Sequence, residues 1–134
     1  MTYQEKVDFL RMYNDNAFRI YGLSQEAERW RQIATSIGAN SDGLPHGTPA
    51  GGRIENAAAH AADIVREIEL DIETARAERK QVKDIISTAS RRQRNLLELH
   101  FVNGISPFEI ANQYGKSEKW IRQMLKDAVN NLNF

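Results

Sequence analysis

The chain has 134 residues, with 18 Lys and Arg against 18 Asp and Glu, three His and no Cys. This length suits one compact domain, or one small domain with a helical appendage; the lack of Cys excludes a disulfide framework and a thiolate metal site, and fits a reducing cytosol. No apolar run approaches the ~18 residues that span a bilayer, and Met1-Thr2-Tyr3-Gln4-Glu5-Lys6 lacks the basic and apolar regions of a signal peptide, so a cytoplasmic protein without a membrane partner is expected.

From the N-terminus, apolar residues recur at Leu10, Tyr13, Ala17, Ile20 and Tyr21, then at Leu23, Ala27, Trp30, Ala34 and Ile37. Steps of three and four define one face of an amphipathic helix, predicted over residues 4–37. Gly22 falls inside this run, where a kink or a helix break can form. The stretch 38–53, GANSDGLPHGTPAGGR, holds five of the eight Gly and two of the three Pro. It reads as a long, flexible surface loop.

A second stripe follows at Ile54, Ala57, Ala61, Ile64, Ile68, Ala75, Val82, Ile85 and Ala89. Asp71 and Glu78 fall in the same stripe, with Ile72 and Arg79 beside it to cover the seam. About 35 residues without Gly or Pro make a rod of roughly 50 Å. Such a rod, with so narrow a seam, needs a partner rod. The first segment supplies one, so residues 1–89 are predicted to form an antiparallel helical hairpin with helices at 4–37 and 54–89. A globular bundle of shorter helices satisfies the same pattern.

The last third changes texture. Ser90 with Gln93 and Ser106 with Glu109 are capping boxes, and Pro107 takes the first helical position after Ser106. Asn103-Gly104 stops one helix, Gly115 closes the next, and Ser117 is an N-cap for the last. Helices are predicted at 91–102, 107–114 and 118–131, forming a second domain over 90–134. No strand alternation occurs anywhere, so the fold class is all-α.

The final two predicted helices have the spacing of a helix-turn-helix. Ala111 is the small residue that lets the second helix cross closely, Gly115 tolerates positive φ in the turn, and Ile121 plugs the contact. Ile110, Tyr114, Met124 and Leu125 complete the apolar side. The 3.6-residue period then turns Ser117, Glu118, Lys119, Arg122, Gln123 and Lys126 outward. Arg122 and Gln123 suit base edges in the major groove, Lys116 and Lys126 suit phosphates, and Lys119 suits either. Arg91, Arg92 and Arg94 open the preceding helix and are placed to clamp the flanking backbone. The charge distribution agrees: residues 54–89 carry five basic and eight acidic side chains, residues 90–134 seven basic and four acidic. The competing structural account is a solvated basic helix that ends a three-helix bundle.

The segment SRRQRNLLELHFVNGISPFEIANQYGKSEKWIRQMLKDAVNNL resembles region four of bacterial sigma factors, the module that reads the −35 promoter element. The shared frame is the Arg-Gln-Arg and Leu-rich helix, the Asn103-Gly104 turn, Glu109-Ile110-Ala111, Gly115-x-Ser117 and Ala128-x3-Leu132. Two positions depart from the pattern. Trp120 stands where a small polar residue is usual, and Met124 where a basic one is frequent. Trp120 is expected to pack on the hairpin, with contact to a DNA sugar as the alternative. By layout, the whole chain resembles small phage and prophage transcription activators of Gram-positive bacteria, of the autolysin-regulator and late-gene type. That resemblance implies a DNA-binding regulator rather than an enzyme.

Other signals carry less. His46, His60 and His100 sit in separate elements without an i, i+4 His pair, so no metal is expected. GTPAGGR lacks the Gly-Lys-Ser/Thr ending of a phosphate loop. Glu67, Glu69, Asp71 and Glu73 alternate along one helix and read as a solvated face. No catalytic constellation and no cofactor site emerges. The expected partners are double-stranded DNA, RNA polymerase, and a second copy of the chain bound through the hairpin, because one recognition helix rarely binds tightly alone. The alternatives are the DNA-recognition subunit of a phage terminase, and a module that grips RNA polymerase or a sigma factor without reading bases.

Overall fold

The computed structural model describes the backbone of residues 1–41 and 50–134, and the side-chain surroundings of residues 1–36 and 56–134. Among the described residues every regular element is helical: α1 (Tyr3–Ser41), α2 (Ala50–Ser87), α3 (Arg91–Leu97), a π-helical turn (Glu98–Val102), α4 (Pro107–Tyr114) and α5 (Glu118–Asn130). The class is all-α, with a long helical pair followed by short helices. The chain divides into two compact units, Met1–Phe18 with Arg76–Phe134, and Arg19–Ala75. The change of helix texture at 89/90 is therefore not where the cores divide.

In the first unit, the beginning of α1 and the end of α2 are built into the same core as the C-terminal helices. Val7 and Leu10 of α1, Val82 and Ile86 of α2, Leu97, Phe101, and Ala128, Val129 and Leu132 form one buried cluster. Arg79 closes the seam beside it. Its guanidinium carbon lies 4.1 Å from the Tyr13 ring centroid, and Nε donates to the Tyr13 carbonyl at 3.0 Å. Asn16, buried in the same pair of helices, donates from Nδ2 to Glu78 at 2.8 Å. A buried amide left without a partner would be strongly destabilising, so this bond explains how a polar side chain is tolerated there. The Nζ of Lys6 donates to the carbonyls of Asn130 (3.2 Å) and Leu132 (3.4 Å), satisfying groups that the end of α5 leaves open.

The second unit is a two-helix strip. Ala27, Ile68 and Ile72 are buried, with Ile20, Leu23, Trp30 and Ile64 packed against them. The Trp30 and His60 rings meet edge to face with centroids 6.4 Å apart, and Arg31 pairs with Glu69 across the helices at 2.7 Å. The alternating acids Glu67, Glu69, Asp71 and Glu73 are all exposed.

Several local expectations need correction. Of the loop expected over 38–53, residues 38–41 continue α1 and 50–53 begin α2, so each helix overruns its predicted end. Glycine weakens a helix by about 1 kcal/mol per residue without forbidding it, and extending an existing helix gains a hydrogen bond at each step. Residues 42–49, including His46, lie outside the described residues. Gly22 neither breaks nor ends α1: it is exposed, and a Cβ there would meet nothing within 4 Å. Tyr21, placed in the apolar stripe, is 68% exposed. Ala57 is exposed as well.

The helix expected over 91–102 is α-helical only to Leu97 and then widens into the π turn. Asn103 N–H donates to the Glu98 carbonyl and Ile105 N–H to the Leu99 carbonyl, both at 2.9 Å. The extra residue per turn changes the phase of the side chains. Phe101 thereby joins the cluster containing Leu10 and Ile86, while Leu99 packs against the one containing Ile110 and Ile121.

Candidate nucleic-acid interface

The interface is built on α4, the turn after it, and α5. Three serines start the short helices: Ser90, Ser106 and Ser117 accept from the backbone N–H of Gln93, Glu109 and Trp120 at 3.4, 3.2 and 3.1 Å. Each satisfies one of the N–H groups that a helix start leaves without a partner. At the other end of α4, Gly115 adopts φ 64°. Its N–H and that of Lys116 both return to the Ala111 carbonyl, a Schellman-type closure.

That closure fixes where α5 begins, and the packing fixes which side of it faces in. Ala111 is 4% exposed, while Ile110 and Ile121 are fully buried. Leu96 and Leu125 finish this second cluster, with Leu99, Ile105, Trp120 and Met124 packed around it. On its remaining inner side α5 contributes Ala128 and Val129 to the first cluster. With two cores gripping one side, the opposite ridge must face water.

That ridge carries the predicted residues. Lys116, Ser117, Lys119, Arg122, Gln123 and Lys126 are exposed, and Glu118 is half-buried. Arg122 donates from Nε (3.2 Å) and Nη2 (2.7 Å) to Glu118, one turn earlier. Gln123 donates to Asp127 at 3.0 Å. An exposed i, i+4 ion pair is worth only about 0.3–0.5 kcal/mol, so Arg122 can exchange Glu118 for a stronger anionic partner. Ser117 commits its oxygen to the cap. The Nζ of Lys116 lies 5.4 Å from the Trp120 ring, and that of Lys126 lies 5.7 Å from the Tyr3 ring.

Of the three arginines opening α3, Arg91 and Arg92 are exposed and Arg94 is half-buried. Only Arg92 lines the groove between α3 and α5, a space of about 490 Å³ shared with Gln93, Trp120, Met124 and Asp127. Trp120 thus packs on the helix-turn-helix core and forms a wall of this groove rather than packing on the hairpin. Tyr114, expected on the apolar side, is 39% exposed.

Two features escape a reading of the sequence. The π turn is tied down from both sides: Asn14 Nδ2 donates to the Phe101 carbonyl at 3.0 Å, and His100 Nδ1 to the Ile105 carbonyl at 2.8 Å. The other is the flank of α5 formed by α1, where Tyr3 and Arg11 line a groove with Arg122 and Lys126. No short-range pattern signals either one, since both bring α1 against residues far along the chain.

Similarity to known proteins agrees with this geometry. Residues 85–133 match the family model described as sigma-70, region 4. These residues form a sigma-region-four-like helix-turn-helix. The match begins in the last turn of α2, in keeping with the burial of Ile86 beneath the region-four-like helices. It is a DNA-binding type of domain, and it includes every residue expected to face DNA. No curated protein and no solved structure matched the chain. Among the described residues no helix is long and apolar enough to cross a membrane.

Proposed function

We propose that the chain is a sequence-specific, non-enzymatic transcription regulator of phage or prophage type, acting in the cytoplasm on double-stranded DNA, with α5 in the major groove. One observation carries the reading. A ridge bearing Lys119, Arg122, Gln123 and Lys126 stands exposed on a helix whose opposite side is locked by Ala111, Gly115 and Ile121. Arg122 and Gln123 have the donor and acceptor pattern for guanine and adenine edges, while Lys116, Lys119 and Lys126, with Arg92, supply phosphate contacts. Arg91 and Arg94 serve the same backbone less directly. The long helical pair preceding a region-four-like segment supports the phage-regulator reading, because small phage activators resemble it in layout. A single recognition helix gives limited affinity. The functional species is therefore a homodimer joined through the long helices, or a monomer docked on RNA polymerase at the promoter.

The test is selection of duplexes from a random-sequence pool by the full chain, followed by anisotropy titration at several salt concentrations. Recovery of a shared motif, with log affinity falling against log salt at a slope of roughly −4 per monomer, is expected for four or five phosphate contacts. Recovery of no motif, with polymerase captured nonetheless, would replace this reading with that of a polymerase-binding module. A ring-sized oligomer on a packaging site would replace it with a terminase subunit.

A further inference from the structure

The charge of the chain partitions with its two units. Met1–Phe18 with Arg76–Phe134 carry 13 basic against nine acidic side chains, and Arg19–Ala75 carry five against nine. Inside the basic unit, α5 has a groove on each flank, and the two differ in charge. The groove towards α3 contains Arg92 but also Asp127. The groove towards α1, about 250 Å³ in volume, is lined by Tyr3, Arg11, His100, Arg122 and Lys126 among its polar residues; among the described residues no carboxylate lines it, although Arg122 keeps its pairing with Glu118 one turn earlier. Arg11 is exposed, and among the described residues neither it nor Lys126 forms an ion pair. Pro107, the first residue of α4, also borders this groove.

A helix lying in the major groove, about 12 Å wide, has a phosphodiester backbone along each side. On the α3 side Arg92 is available to one strand. On the α1 side the cations of α5 sit beside a further arginine, contributed by a helix outside residues 85–133. We propose that the groove between α1 and α5 is a phosphate-binding site for duplex DNA, in which Arg11 joins Lys126 on the strand opposite the one that Arg92 reaches, while Arg122 beside them is kept for the base edges. The N-terminal helix is then part of the DNA interface as well as of the core beneath it. Tyr3 helps by holding the Lys126 ammonium against its ring at the mouth of the groove. The proposal rests on the reading of α5 as the major-groove helix.

The experiment is anisotropy titration of the full chain against a short duplex recovered by selection and against a scrambled duplex, over a range of salt. The variants are Arg11→Ala, Arg11→Lys and Arg29→Ala, the last on an exposed position of the other unit. Loss of one phosphate contact lowers the salt slope by about 0.9. Arg11→Ala should show that drop and bind both duplexes more weakly by the same factor, because phosphates carry no sequence information. Arg11→Lys should restore the slope, and Arg29→Ala should match the parent. If the parent chain binds and Arg11→Ala keeps its slope and affinity, the phosphate site is refuted while the regulator reading stands. If the parent binds no duplex, both fall together. Circular dichroism checks that each variant retains its helices.

Discussion

The two compact units are made from the same pair of long helices, yet they differ in what they bury. Among the described residues the largest fully buried side chains, Leu10, Val82, Ile86, Leu97, Ile110, Ile121 and Val129, all lie in the unit containing the C-terminal helices. Among the described residues of the unit spanning Arg19–Ala75 the most deeply buried side chains are Ala27, Ala61 and Ala75, with Ile68 and Ile72 slightly more accessible. Two helices alone enclose a seam, whereas helices crossing from several directions enclose a volume. The difference teaches that an identical 3.6-residue pattern yields either a thin seam or a full core, depending on what else packs there.

The contrast can be broken by mutation. Ile121→Ala opens a cavity in an enclosed core and should lower the unfolding free energy by about 2–5 kcal/mol. Ile68→Ala faces an open-sided seam that can collapse, so its cost should fall at the low end, about 2 kcal/mol or less. Denaturant titration of both variants makes the comparison. Equal losses would show that the strip is as tightly enclosed as the helix-turn-helix core.

Smaller effects sharpen the same contrast at two glycines. Gly115 is held at positive φ, and a Cβ there would meet nothing within 4 Å, so only backbone strain opposes a side chain. Gly115→Ala should destabilise by about 1–2 kcal/mol. Gly22 sits mid-helix on an exposed surface. Gly22→Ala should stabilise by roughly 0.5–1 kcal/mol, read as a rise in thermal midpoint. The opposite signs follow from φ alone, and a stabilising Gly115→Ala would contradict a strained left-handed turn.

What can be read from the chain is local. The three serine caps, the Ala111–Gly115–Ile121 crossing and the outward residues of α5 each depend on neighbours within a few positions, and periodicity or turn chemistry reports on these directly. The seam-covering roles of Ile72 and Arg79 are legible for the same reason. The π turn is not, because its cause is the demand of two separate cores on Phe101 and Leu99. Trp120 is misplaced by sequence reasoning because its partners are chosen by how α5 crosses α3 and α4. Arg11 is silent because it has no periodic signature: it gains meaning only when α1 is laid beside α5. Tyr21 and Tyr114 show the converse error, in which an apolar step pattern claims a residue that the fold leaves in water.

The central claim is that the exposed ridge of α5 binds DNA through its cations. The most direct measurement is the salt dependence of duplex binding by the parent chain and by the Arg122→Ala, Lys126→Ala double variant. The expected result is a slope of roughly −4 for the parent and a slope shallower by about 0.9 for the variant, which loses the Lys126 phosphate contact, with weaker binding at every salt concentration. Full affinity and an unchanged slope in the double variant would contradict it.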